Sequence, residues 1–217
     1  MTGLLITIDG PAGAGKTTVS RRVAERLGYR YVDTGALYRT VALTARAAGI
    51  DPDDDAGLSG LCDGLTLEVV RTGTGTRFLA NGDDVTDRLR TPEITRMASA
   101  VSARPAVRSY LLAVQRELGR EKNAVFEGRD MGTVVFPEAD RKFFLEADLD
   151  ARARRRHAEL SADADETLET VREAIRRRDE DDSTRALAPL KPAPDAIRID
   201  TTDLDIDGVV SAILAHC

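Results

Sequence analysis

The sequence predicts an α/β domain with a small antiparallel β insert. Three observations lead there. Apolar, β-branched runs alternate with helical repeats along most of the chain, a glycine-rich loop stands at the first strand-to-helix junction, and the stretch from about residue 64 to 88 switches to hairpin spacing.

Leu4 to Ile8 is an apolar run stopped by Asp9-Gly10-Pro11, which reads as a buried strand feeding a loop. A helix follows from about Thr17, because Val19, Val23 and Leu27 recur every fourth residue and Gly28 stands where a C-terminal cap belongs. Tyr29 to Val32 resembles a second strand ending in Asp33-Thr34-Gly35, and Ala36 to Ala48 is helical in composition. From Leu65 the residues alternate, with turns expected at Thr72-Gly73-Thr74-Gly75 and at Asn81-Gly82. Turns this short join antiparallel strands only, since a parallel crossover needs a dozen or more residues. Pro92 to about Arg120 is helical with a break at Arg104-Pro105. Asn123 to Phe126 and Lys142 to Leu145 resume the strand rhythm. In EGRDMGTVVFP, Glu127 to Pro137, the runs Val125-Phe126 and Val134-Val135-Phe136 flank an Arg-Asp pair as core strand segments would. Asp148 to Asp182 is helix-rich and too charged to be core throughout, 188 to 194 is a proline-rich loop, Ala196 to Asp200 is the last strand and Ile206 to Leu214 the closing helix.

With 217 residues and 42% apolar content, the chain can build one full core. The formal net charge of -6 argues against a nucleic-acid or anionic-membrane partner for the chain as a whole, so an anionic ligand has to be held by local clusters. Cys62 and Cys217 share no CxxC spacing and His157 and His216 lie far from Cys62, which disfavours a disulfide scaffold or a zinc site. The opening MTGLLITIDG lacks a basic segment and a small-residue cleavage site, and no stretch approaches the roughly 18 uncharged residues of a membrane helix. The expectation is a cytoplasmic, reduced, soluble protein acting as a monomer.

Gly10, Pro11, Ala12, Gly13, Ala14, Gly15, Lys16 and Thr17 match the phosphate-binding pattern GxxxxGK[ST] between an expected strand and an expected helix. Glycines let successive amide hydrogens turn inward, and the helix N-terminus adds partial positive charge. Lys16 would reach the β- and γ-phosphates of a nucleoside triphosphate and the Thr17 hydroxyl would ligate Mg2+. A GTPase switch would carry an NKxD guanine-reading pattern, and Asn81 and Asn123, the only asparagines, offer none. A kinase needs cations that hold two anionic molecules in line, and arginines at 39, 108, 129 and 178 to 185 are available. Kinases of several small acceptors, or a nucleotide-binding switch, stay open on these grounds.

The segments ITIDGPAGAGKTT, DTGALYR, EGRDMGTVVFP and RRRDEDDSTRALAPL, in this order, resemble the bacterial cytidylate kinase family, one branch of the nucleoside monophosphate kinases. The resemblance covers essentially the whole chain, and EGRDMGTVVFP is its most specific part. It implies a sheet of five parallel strands wrapped by helices, a single domain 1–217 with a core of about 1–63, 89–147 and 183–217, a CMP-binding insert of about 64–88 and a helical lid of about 148–182. It also implies transfer of the γ-phosphate of ATP to CMP or dCMP with Mg2+ as cofactor. The ATP site it implies is the loop from Gly10 to Thr17 with Thr18 and Arg155, and Arg154 and Arg156 are further lid candidates; residues near Leu187 to Pro192 would meet adenine. The CMP site it implies is Thr34, Arg39, Ser99, Arg108, Arg129, Asp130, Arg178, Asp182 and Arg185, and the catalytic set is Lys16, Arg39, Arg129 and Arg185. In that scheme Asp130 takes the cytosine amine while Arg108 and Ser99 donate to the ring acceptors, a pattern uracil reverses. Asp182 and Arg178 read the sugar, the planar guanidinium groups of Arg39, Arg129 and Arg185 suit phosphate, and Glu127 has no assigned role.

Overall fold

A computed structural model describes residues 3–72, 75–159 and 166–217. The chain divides into two compact units, Met1–Val32 with Glu121–Cys217, and Asp33–Arg120.

The first unit is built on strands β1 (Leu5–Asp9), β2 (Arg30–Asp33, whose last residue opens the second unit), β6 (Ala124–Gly128), β7 (Arg141–Glu146) and β8 (Ile197–Asp200). They form one parallel sheet in the order β2-β6-β1-β7-β8. β1 lies in the middle, with Ile6 opposite Val125 of β6 and Ile8 opposite Phe143 of β7. All five of its residues are buried. Helices cover both faces of such a sheet, which is why its central strand reads as an unbroken apolar run instead of an alternating one. Helix α1 (Lys16–Leu27) sets Val19, Val23 and Ala24 into the core against Val209, Val210 and Ile213 of α8 (Ile206–Leu214). Gly28 ends α1 in the expected cap position, its N–H bonding back to Glu25 O at 3.2 Å. Helices α6 (Leu149–Glu159) and α7 (Leu168–Thr184) make a separate small apolar cluster from Ala153, Val171 and Ile175 with Ala12 of the glycine-rich loop.

The second unit has its own core. Leu37 and Val41 of α2 (Thr34–Ala47), Leu58 and Cys62 of α3 (Asp55–Gly64), Ile94 and Val101 of α4 (Pro92–Val101) and Val107 and Leu111 of α5 (Pro105–Gly119) enclose Phe78 and Ala80 of an antiparallel sheet, β3 (Leu67–Thr72), β4 (Gly75–Ala80) and β5 (Asp83–Asp84). The Asn81-Gly82 turn forms as expected, both residues at positive φ, and Asn81 Oδ1 accepts from Thr66 N at 2.8 Å. Residues 73 and 74 of the other expected turn lie outside the described residues.

Two sequence expectations are corrected. The run Val134-Val135-Phe136 is no strand: Met131–Val135 is a π-helical turn. Its backbone is satisfied locally, because Asp9 accepts from Met131 N and Gly132 N at 2.9 and 2.8 Å, and Asp130 O accepts from Val134 N at 2.9 Å. These amides are thereby taken and cannot donate to a ladder. Burial was legible all the same, since Met131, Val135 and Phe136 are inside and the Phe126 and Phe136 rings meet edge-on at 4.6 Å. Helix α3 was not expected at all. Its glycines hide a short period, Leu58 to Cys62, and its N-terminus is capped by Asp54 accepting from Gly57 N at 2.9 Å.

Candidate active site

In the first unit the residues of interest gather at the carboxyl ends of β1 and β6, the position where open α/β sheets take ligands. The loop Gly10 to Gly15 leaves β1 with Gly10 at φ 150° and Gly13 at φ 75°. A side chain at Gly10 would meet Leu145 O at 2.2 Å, and one at Gly13 would meet the Arg152 backbone oxygen at 3.0 Å. These two glycines are demanded by close backbone approach as well as by dihedral angle. Lys16 opens α1, is 8% exposed, and its ammonium donates to Pro11 O at 2.6 Å across the loop. Burial pushes the Lys16 amine well below the ordinary lysine value, and the neighbouring Arg129 charge pushes it further the same way. Asp9, at the end of β1, is raised from 3.8 to about 6 by burial, with the two backbone N–H groups opposing that shift.

Thr17 Oγ1 donates to Glu127 Oε1 at 3.0 Å, and Tyr31 Oη donates to the same oxygen at 2.7 Å. Glu127 is 5% exposed. This hydroxyl and carboxylate are the hard oxygen donors a divalent cation such as Mg2+ prefers, and such a cation ordinarily completes its shell with nucleotide phosphates and water. The chemistry of the pair therefore fits a phosphate-bridging cation.

Arg129, Asp182 and Arg185 form one cluster, in which the Asp182 carboxylate is buried and the two arginines are half-buried. Arg129 Nε donates to Asp182 Oδ2 at 2.8 Å, Arg185 Nη1 lies 3.5 Å from Asp182 Oδ1, and Arg185 Nη2 lies 3.7 Å from Asp130 Oδ1. Burial alone would raise the Asp182 carboxyl, but Arg129, Arg178 and Arg185 together outweigh it and hold the carboxyl below its ordinary value. Asp130 is 2% exposed. Five of the expected acceptor residues, Arg129, Asp130, Arg178, Asp182 and Arg185, are thus brought together from the turn after β6 and from α7 with its C-terminal cap.

The remaining expected acceptor residues lie in the second unit. Thr34 is buried at the start of α2, where Asp33 caps the helix by accepting from Ala36 N at 2.9 Å. The other Asp33 oxygen accepts from Arg39 at 2.9 Å and from Arg90 at 3.2 Å. Arg39 Nε is buried without a hydrogen-bond partner. Ser99 and Arg108 are both tied to Ser102 at the α4–α5 turn: Ser102 Oγ donates to Ser99 O at 2.7 Å, and Arg108 Nη1 donates to Ser102 O at 3.1 Å. The Arg108 guanidinium also sits over the Tyr38 ring, 5.9 Å from its centroid.

On the helical side of the first unit, Arg155 is turned onto the end of β8, its Nη1 3.0 Å from Thr201 Oγ1, while Arg154 and Arg156 are exposed. Sequence reasoning missed Arg152 and Asp179. Arg152, 8% exposed, donates to Ala12 O at 3.0 Å and to Ala147 O at 2.9 Å and pairs with Asp179, which accepts from Ala12 N at 3.2 Å. These two clamp the peptide groups of Ala12 from α6 and α7. Arg90 and Asp9 were missed too. The available signals were weak: an arginine among many in ARARRRH, and a polar residue ending an apolar strand.

A glycine-lined strand-to-helix loop with its lysine and threonine, beside a buried arginine and carboxylate cluster at the same sheet edge, defines a P-loop kinase, a phosphotransferase that uses a nucleoside triphosphate. The cytidylate kinase family model matches residues 6–217. The chain is 53% identical over 209 residues to a cytidylate kinase of Geobacter sulfurreducens, covering 96% of this chain and 90% of that one, and 48% identical over 216 residues to a cytidylate kinase of Symbiobacterium thermophilum, covering 99% and 96%. It belongs to the cytidylate kinase family and is an ATP-dependent nucleotide kinase. A gluconokinase structure from Sinorhizobium meliloti 1021, 15% identical with a TM-score of 0.51 over 99% of this chain and 91% of that one, shares the fold.

Proposed function

We propose that the chain moves the γ-phosphoryl group of ATP onto the phosphate of CMP or dCMP, with the loop at Gly10 to Thr18 holding the donor and the cluster around Arg129 holding the acceptor. The observation that carries this reading is the set Arg129, Asp130, Asp182 and Arg185 beside Lys16, two carboxylates and two arginines from two segments far apart in the chain, with both carboxylates and the lysine buried. Such a set is costly to bury and is retained where charge has to be bound.

Lys16 and the backbone amides of the loop orient the triphosphate. Arg129 and Arg185, together with Arg39, bind the acceptor phosphate and offset charge on the equatorial oxygens as the phosphoryl group passes between the substrates. Asp182 and Arg178 take the sugar hydroxyls. Asp130 accepts from the cytosine amine, and Ser99 and Arg108 donate to the ring acceptors. Arg155, with Arg154 and Arg156, is suited to the ATP phosphates, and the 187–192 loop to adenine. Thr17, with Glu127 as its hydrogen-bonding partner, would hold Mg2+, and the cation would supply positive charge to offset that of the phosphates. The substrates are small molecules, and the working state is a monomer in the cytoplasm; the net charge of -6 supports the exclusion of nucleic acid. Asp33–Arg120 with its antiparallel sheet is the part of the chain suited to the acceptor, and the α6 and α7 helices are suited to a lid.

ADP release measured with ATP, Mg2+ and CMP, dCMP, UMP or AMP in turn tests the proposal. Turnover is expected to be fastest with CMP or dCMP and lower by about 10⁴ with UMP, as a site that reads polar edges rejects the reversed pattern. Comparable turnover of AMP contradicts it.

A further inference from the structure

We infer that Tyr31 is a positioning residue for the donor site, acting through Glu127 on the Thr17 hydroxyl, an inference that rests on the donor-site reading above. Glu127 is the residue of EGRDMGTVVFP that the acceptor chemistry leaves unused. Its carboxylate oxygen Oε1 accepts two hydrogen bonds, from Tyr31 Oη at 2.7 Å and from Thr17 Oγ1 at 3.0 Å. Two donors on one carboxylate oxygen engage both of its lone pairs, so the carboxylate is fixed in direction as well as in place. The Thr17 hydroxyl has a single proton. Spending that proton on Glu127 leaves the two lone pairs of the hydroxyl oxygen for a cation.

Tyr31 is itself held on both sides. It stands on β2, which neighbours β6 in the sheet, and its ring packs against the apolar core of the first unit. The Arg21 guanidinium lies over the ring at 5.5 Å from the centroid. Arg21 follows Thr17 by one helical turn, so both project from the same side of α1. Substitution by phenylalanine keeps the ring, its packing and the Arg21 contact. It removes the hydroxyl that steadies Glu127, and so loosens the carboxylate oxygen that receives the Thr17 proton.

The test is equilibrium binding of ATP to the wild type and Tyr31→Phe, with Mg2+ titrated in one series and chelated by EDTA in another. The half-saturating Mg2+ concentration is expected to rise about tenfold in Tyr31→Phe, the lower end of what losing an outer-shell partner costs, while the affinity for ATP in EDTA is unchanged. In a Glu127→Ala background the same substitution should produce no further shift, because nothing remains for the tyrosine to position. A Tyr31→Phe protein that melts earlier but keeps the wild-type Mg2+ requirement overturns the inference alone and leaves the hydroxyl a structural group. A wild type whose ATP affinity is the same with Mg2+ and in EDTA overturns both the inference and the reading of Thr17 on which it rests.

Discussion

Asp9 sits beside Lys16 at a cost that depends on pH. Its carboxyl titrates near 3.8 in the unfolded chain and at about 6 in the folded one, because burial disfavours the charged form. Below the lower value both states are protonated and there is no cost. Between the two values the unfolded chain has released its proton while the folded chain retains it, so stability falls as pH rises, and above the upper value the loss is complete, with a ceiling of about 3 kcal/mol. Denaturant unfolding of Asp9→Asn is expected to show a flatter pH dependence through this window than the wild type, whatever its absolute stability. Asp130 makes a different prediction. Asp130→Ala should lower the CMP to UMP preference in kcat/KM by about tenfold or more, since a desolvated carboxylate that meets a carbonyl is what penalises uracil; an unchanged ratio would remove Asp130 from base reading. At this scale the sequence was legible where residues follow one another in a pattern, as in the loop octad and Gly128-Arg129-Asp130. It was illegible where function depends on a pair: Asp9 with the Met131 amide, or Arg152 with Ala12, is joined across 122 and 140 residues.

The glycine-rich loop is shaped from outside as much as by its own glycines. Arg152 of α6 and Asp179 of α7 hold the carbonyl and the amide of Ala12 respectively, and Arg152 also ties the loop to Ala147 beyond β7. Arg152→Ala should therefore weaken ATP binding by about tenfold, the cost of losing a charged hydrogen bond from a buried site, while changing CMP binding by less than about twofold. Isothermal titration with each nucleotide separates the two effects, and an equal loss for both would mean that Arg152 supports the fold generally. Elements whose signal is local were readable: α8 begins and ends where its apolar period does, at Ile206 and Leu214, and Asn81-Gly82 is one of the few residue pairs that so short a hairpin turn favours, both at positive φ. The turn Met131–Val135 was misread because its conformation is imposed by a carboxylate on another strand, and β-branched residues give no warning of that.

Across the whole molecule the alternation of strand and helix was visible along the chain, but the order β2-β6-β1-β7-β8 was not, because lateral pairing depends on contacts distant in sequence, Leu5 with Ala124 and Phe143 with Ile197 among them. The sheet order accounts for the separation of roles proposed for the first unit. β1 ends in the glycine-rich loop and its neighbour β6 ends at Gly128, just before Arg129, so the loop and the arginine cluster leave the same sheet edge after adjacent strands. We propose that these adjacent strand ends serve different substrates. Equilibrium binding of ATP and of CMP to Arg129→Ala tests it most directly. Arg129 is the charge that most depresses the Lys16 amine, so its removal leaves the lysine more firmly protonated and the donor cradle competent. CMP affinity is expected to fall by about tenfold or more, the loss of a charged phosphate contact, with ATP affinity within about twofold of wild type; a loss of ATP affinity equal to or greater than that of CMP would contradict the account.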